Sequence, residues 1–258
     1  MHQLLVFLFA LVALAQYPGY NPQSNETPDD RPEVRRRVES FEKLVKDAEK
    51  DADAVAMLDG MILMCKESAA RDRGRVLKSI VGAVKNFDVP KDKTKPRNLP
   101  VAAAERLSQM GTEALKSITE LLGDPKVSKE MPRVTPLAAG LVKLGTGTPE
   151  ALEASVKLLD DPNPRLYAAL AGAFAQFELE TQAKRKRIAG AILASHETFQ
   201  KRVDTDKSVA AEEKPKLADA GRAATIATLN ALAVQKQPDV AAFKTWFAEN
   251  KAKEWPEK

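Results

Sequence analysis

The chain has 258 residues and a formal net charge of +4, from 40 Lys and Arg against 36 Asp and Glu, with one cysteine and two histidines. A single thiol excludes an intramolecular disulfide framework, so the fold must rest on an ordinary hydrophobic core. Acids nearly balance bases, which bears on solubility more than on a partner, and an aromatic content of 5% offers single-stranded nucleic acid no stacking platform.

From the amino terminus, an apolar run from Leu4 to Leu14 leads into Ala13-Leu14-Ala15, a small-x-small site that predicts cleavage before Gln16. Residues 1–15 read as a secretory signal peptide whose only basic groups before the apolar run are the terminal amine and His2. The run is shorter than the ~20 residues of a spanning helix, and no second candidate follows it. No cysteine follows the cleavage site to carry a lipid. A secreted or periplasmic protein is expected, with no stable membrane insertion once the signal is removed. Gln16 to Arg31, rich in Pro, Asn and Gly and without a periodic apolar face, is expected to be a flexible lead-in.

Helical periodicity begins at Pro32, a residue suited to a first helical position. Val34, Val38, Phe41, Leu44, Val45 and Ala48 recur at three- and four-residue steps and predict one helix. Val55, Leu58, Ile62 and Cys65 predict a second; Val76, Leu77, Ile80, Val81, Val84 and Phe87 predict a third. No stretch alternates with β-branched residues, so strands are not expected. The expected class is all-α, with about ten or eleven helices. Two polar, proline-containing stretches, Asp88 to Asn98 and Val203 to Pro215, are predicted loops, and the alanines of the second could extend a neighbouring helix.

A repeat runs through the middle of the chain. Leu99 to Pro125 (LPVAAAERLSQMGTEALKSITELLGDP) and Thr135 to Pro162 (TPLAAGLVKLGTGTPEALEASVKLLDDP) match Pro100 to Pro136, Gly111 to Gly147 and Arg97 to Arg133 at an offset of 36. After one insertion the offset is 37, matching Leu115 to Leu152, Leu121-Leu122 to Leu158-Leu159, Asp124 to Asp161 and Pro125 to Pro162. A third copy starts at Pro164-Arg165 with the apolar face Leu166, Ala169, Leu170, Ala173, Phe174 and Phe177, then drifts into a longer helix. Each hairpin can bury its apolar face only against its neighbours, which predicts a stack. Within LLDDPNPR (Leu158–Arg165), Pro162 is expected to stop one helix and Asn163 to cap the next, leaving Asp160 and Arg165 as the candidates for more than turning the chain.

A helix ending in Leu-Leu-x-Asp-Pro, a short turn, Pro-Arg and an alanine-rich helix resembles the HEAT-repeat family of α-solenoids, in its short exported bacterial form. Residues 99–177 carry the resemblance. TPLAAG at Thr135 also resembles the opening of an ankyrin repeat, which ranks second. The HEAT resemblance implies an α-solenoid of stacked antiparallel hairpins over residues 32–258 that binds a partner protein along one surface. AFKTWFAENKAKEW resembles the Trp- and Lys-rich helix closing such arrays, with Val240, Phe243, Trp246 and Phe247 covering the last hairpin and Trp255 outside that stripe.

Residues with chemical potential are few. His196 is the only histidine after position 15, too little imidazole for triads and most zinc sites. Adjacent helical residues point apart, so Ser195-His196 is no dyad. GTGTP at Gly145 lacks the lysine and preceding strand of a phosphate loop. Met57, Met61, Met64 and Cys65 could ligate Cu(I), but the same spacing packs a core, and the core reading is preferred. No cofactor is expected. Of the basic runs Arg35-Arg36-Arg37, Lys91 to Arg97 and Lys184-Arg185-Lys186-Arg187, solvated helix faces are the plain reading, weak contact with polyanions the other, and nucleic acid is not expected. Arg97, Arg133 and Arg165 could form a basic ladder for an acidic partner, with Trp255 as an aromatic contact. The competing role of these arginines is to pair with turn acids such as Asp124 and Asp161. The functional expectation is an exported, non-catalytic protein-interaction scaffold. The alternatives are an enzyme or enzyme subunit of the HEAT-like lyase type, or an envelope polyanion-binding protein.

Overall fold

The computed structural model describes residues 30–88, 90–91 and 97–256; the expected signal peptide and nearly all of the lead-in lie outside them. Those residues form eleven α-helices, short 3-10 turns and no strand, an all-α fold. None of these helices is long and apolar enough to cross a membrane. The chain divides into two compact units, one ending at Arg106 and the other beginning at Leu107.

In the first unit α1 (Pro32–Lys46) packs on α2 (Asp51–Lys66) and α3 (Ala70–Val84). Val34, Val38, Phe41 and Val45 of α1, Leu58, Ile62 and Cys65 of α2, and Val76, Ile80 and Val84 of α3 are buried, as their spacing predicts. The third helix stops three residues short of its last predicted position, and Phe87 is 40% exposed. Local polar chemistry ends it: Asn86 Nδ2 donates to Val45 O (2.8 Å), and Asn86 Oδ1 accepts from the Asp88 amide (2.7 Å). Asp72 is fully buried and accepts from the Arg31 amide (2.8 Å) and Arg75 Nη1 (2.9 Å), tying the entry of α1 to α3. Asp30 Oδ1 accepts from Arg35 (2.7 Å) and from Arg75, and these hydrogen bonds bring its carboxyl down to about 2. Asp51 accepts the Asn98 and Leu99 amides (2.8 and 3.2 Å), meeting two donors that α4 (Leu99–Leu107) leaves open.

The second unit continues with α5 (Leu115–Leu122), α6 (Met131–Gly147), α7 (Pro149–Leu158), α8 (Pro164–Ala173), α9 (Gln182–Thr205), α10 (Lys214–Ala233) and α11 (Val240–Asn250). Helix α6 packs on α5, α7 and α8; α10 packs on α8, α9 and α11. Leu121 and Leu122 are fully buried, as are Leu159, Tyr167, Leu170, Phe174 and Phe177, so these leucines and most of the third copy's apolar face form core, while Leu115, Leu158 and Ala173 are half-buried. The predicted loop from Val203 is shorter in the structure: α9 runs to Thr205 with Val203 buried, and α10 begins at Lys214.

The two repeat copies share a pattern but not a conformation. Gly111 has φ 71° and ψ −152° within a 3-10 stretch (Ser108–Ala114), a backbone region open essentially to glycine. Its match, Gly147, ends the continuous helix α6 without a positive φ. The corners are the better conserved element. Asp124 Oδ1 accepts the Lys126 amide (2.9 Å) and Asp161 Oδ1 accepts the Asn163 amide (2.8 Å), the same turn one repeat apart.

Asn163 caps α8 as its position before Pro164 predicts: Oδ1 accepts the Arg165 amide at 3.0 Å, and Nδ2 donates to Ser128 O at 2.9 Å on the preceding corner. Asn163→Ala is expected to lower stability by about 1–2 kcal/mol, from the lost cap and the lost cross-tie. Asn163→Asp, which accepts but cannot donate, should recover only the cap. Urea midpoints of the three proteins at constant slope would show this order.

Candidate functional site

The repeat corners and the helix that crosses them enclose an open groove of about 430 Å3. Pro125 and Pro162 form its apolar floor, Ser128 and Asn163 join the corners, and Asp206 to Ser208 close one side. Arg202 holds the groove together from α9: Nη1 donates to Leu159 O (2.8 Å) and Asp161 O (2.6 Å), and Nη2 to Ser195 O (2.7 Å). The Leu159 and Asp161 carbonyls lie at or just past the end of α7, where acceptors lack intrahelical donors and a cation is favoured, while Ser195 lies within α9. Lys129 and Lys207 line the same groove and are exposed.

Behind the groove, α8, α9 and α10 bring three polar side chains together. Tyr167 Oη lies 3.0 Å from His196 Nδ1 and 2.8 Å from Thr225 Oγ1, and Thr225 Oγ1 donates to Gly221 O at 2.7 Å. The two hydroxyls and the imidazole nitrogen form one connected hydrogen-bond chain, in which either hydroxyl can donate across the Tyr167–Thr225 bond and the imidazole tautomer sets the direction of the Tyr167–His196 bond. Burial raises the Tyr167 phenol to about 12. Burial first, then Arg222 and Arg202, hold the imidazole below its ordinary value of 6.5.

That arrangement offers a neutral base, but Ser195 is not its nucleophile: Ser195 Oγ donates to Asp160 Oδ1 at 2.5 Å. Asp160, which replaces a glycine of the earlier copy, thus ties a corner to α9. The depressed imidazole value has a thermodynamic consequence. The folded state binds the proton less well than the unfolded chain, so its contribution to stability is complete above 6.5 and is lost as pH falls from there toward the folded value. The expected loss is at most about 1.4 kcal/mol per pH unit in that window. Urea unfolding at stepped pH should show it, and His196→Gln should flatten it.

The residues singled out in the sequence turn mostly inward. The Arg97 side chain is 7% exposed and lies in the first unit, with Asn86, Asp88 O, Val45 O and Asp51 around it. Arg165 is buried in the second unit, where it donates to Ser208 Oγ (3.2 Å) and lies 3.9 Å from Asp206 and 3.6 Å from Glu213. Arg133 is half-buried in the first turn of α6. Arg97 and Arg165 are thus engaged within the chain; their acids are Asp51, Asp206 and Glu213 rather than Asp124 and Asp161.

Trp255 requires a correction: it is 4% exposed, packs on Trp246 and Phe247 (ring centroids 5.4 and 5.9 Å apart), and donates to Asn250 O at 3.1 Å. An extended tail folds it back into the aromatic stripe.

The run Lys184 to Arg187 is equally committed. Lys184 pairs with Glu180 (3.0 Å) and Arg187 with Glu153 (2.5 Å), Arg185 bonds Leu232 O and Pro256 O, and Lys186 bonds Lys253 O and lies 5.6 Å from the Trp255 ring centroid. Met61 and Cys65 are buried and Met57 and Met64 half-buried, packing expected of a helix in a core. The Tyr167–His196–Thr225 junction escaped the sequence reading, because each pair is 29 or more residues apart. A tyrosine within an alanine-rich face was its one visible sign. Compared with known proteins, the chain matches no family model, no curated protein and no solved structure.

Proposed function

We propose that this chain is an exported, non-catalytic helical-repeat scaffold that holds an acidic segment of a partner protein along the corner edge of stacked hairpins. The observation that carries the reading is the cross-tied pair of repeat corners. Asn163 to Ser128 and Arg202 to two carbonyls of the second corner fix two turns one repeat apart, and the groove between them is floored by prolines and edged by Lys129 and Lys207. A rigid edge of this kind gives affinity through several modest contacts in register, with little ordering cost on binding. Exposed lysines at its rim favour a partner of opposite charge and hasten encounter.

The test begins with capture from an envelope or culture-fluid extract on immobilised chain, followed by titration with the purified captured protein. A one-to-one complex weakened about tenfold by Lys129→Glu with Lys207→Glu supports the groove. A complex indifferent to both reversals removes it, and small-molecule turnover abolished by His196→Gln would replace the scaffold with an enzyme. Retention on heparin at low salt that these reversals abolish, without a protein partner, would favour a polyanion instead.

A further inference from the structure

The chain leaves α10 through one strained residue. Val234 caps that helix with φ 53° and ψ 44°, the left-handed region, where a β-branched side chain crowds its own backbone and Gly or Asn is the usual occupant. Strain of this kind persists only where the surroundings over-determine it. Here the Gln235 amide donates to Asn230 O (3.1 Å), Asn230 Oδ1 accepts the Gln237 amide (3.0 Å), and Asn230 Nδ2 donates to Gln237 O (3.0 Å). Asn230 thus clamps both backbone groups of a residue just beyond the strained one.

The segment beyond this hinge is a cap with contacts of its own. Helix α11 starts on its own N-cap, where Asp239 Oδ1 accepts the Ala242 amide at 2.8 Å. Phe243, Trp246, Phe247 and Trp255 meet at ring-centroid separations of 5.3 to 6.4 Å, and Trp255 Nε1 ties the tail to Asn250 O. The cap closes on the last hairpin through a separate set. Helix α11 packs on α10, Lys244 reaches Glu197 of α9 (2.5 Å), and Arg185 and Gln182 of α9 donate to Pro256 O (3.0 Å) and Lys253 O (3.3 Å). Phe247 lies over Gly190, 3.6 Å from where a Cβ there would stand. Only Val234 to Asp239 join the cap to the hairpin it covers.

None of these closing contacts requires the cap and the hairpin to belong to one molecule. We propose that two copies of this chain exchange caps, α11 and the tail of each closing on α9 and α10 of the other. The closing contacts recur unchanged between the copies, so the exchange turns on the hinge, and short hinges under strain invite it. Opening takes Val234 out of the left-handed region in both copies, which favours the dimer. It also breaks the Asn230–Gln237 pair in both, which favours the monomer, and concentration tips the balance. Because each copy gives and receives the same segment, the assembly closes at two and does not grow. The exchange is independent of the partner groove and stands or falls without it.

The whole chain, refolded from urea at low micromolar and at near-millimolar concentration and sized by light scattering, should be monomeric in the first case and partly dimeric in the second. Val234→Asn, which suits the left-handed region, should weaken the dimer at least about tenfold, and Asn230→Ala should strengthen it by a similar factor. Opposite effects from two residues of one hinge mark an exchange, since association through another surface would respond to neither. A cross-link identifies the exchanged segment. In a Cys65→Ala background, Glu197→Cys with Lys244→Cys, joined by a bismaleimide, should yield covalent dimers from the dimer peak and covalently closed monomers from the monomer peak. A chain that stays monomeric after refolding at near-millimolar concentration overturns the proposal. So does a dimer whose cross-link stays within each chain, or one that Val234→Asn leaves unchanged. Should Asn230→Ala fail to fold, Val234→Asn and the cross-link decide.

Discussion

Phe199→Ala is expected to cost about 3–5 kcal/mol and to dismantle the polar junction of the second unit. The Phe199 ring is fully buried, with Tyr167 at 4.6 Å between ring centroids and His196 at 6.0 Å. It reaches that position because residue 221 is glycine: a Cβ there would lie 2.3 Å from Phe199 Cζ, too close for any carbon contact. Truncation removes the wall that holds the phenol and imidazole at hydrogen-bonding distance, and the void adjoins apolar surface that α8 and α10 cannot close by a small shift. Phe199→Leu, which keeps most of the volume, should cost less than about 1.5 kcal/mol. Phe87→Ala is the internal control, because a ring already 40% exposed should change stability by no more than about 0.5 kcal/mol. Urea midpoints decide the order. The acid-side loss of stability assigned to His196 should fade in Phe199→Ala, since the imidazole loses the burial that depresses it.

What the sequence made legible follows from what is local. Apolar residues at three- and four-residue steps mark α1 to α3, because one helix face must bury them whatever it packs against, and Asn163-Pro164 marks a helix start through its own backbone needs. Local pattern misleads where two positions share a residue for different reasons. Gly111 and Gly147 match in the repeat, yet only Gly111 takes a positive φ. Phe87 continues a period that Asn86 has already broken by bonding to Val45 O. The polar sites are illegible for a further reason. Arg165 finds Ser208 at a separation of 43 residues, and Arg185 finds Pro256 at 71, separations that no spacing rule encodes. A basic residue in a turn announces a charge, and only the packed chain decides whether it faces a partner or its own carbonyls.

Arg97 separates those two fates by experiment. Its guanidinium donates to Asn86 Oδ1 (3.0 Å), Asp88 O (2.9 Å) and Val45 O, and its Nε lies 3.4 Å from Asp51, which itself receives the first amides of α4. One side chain thus closes the carboxyl end of α1, the segment after α3 and the entry to α4. Arg97→Met is expected to destabilise the first unit by about 3 kcal/mol, because Val45 O and the Asp51 carboxylate stay largely buried after the cation is gone. Lysine should not rescue it, since a single ammonium cannot span three acceptors held by a planar fork. Hydrogen exchange locates the effect: amides around Val45 to Asp51 and Leu99 to Ala103 should lose protection, while those of α8 to α10 keep theirs. Were Arg97 a contact offered to a partner, the same substitution would leave exchange untouched and weaken only binding. The buried geometry makes the first outcome the expected one, and it moves the search for a partner surface from the arginines to the exposed lysines of the corner groove.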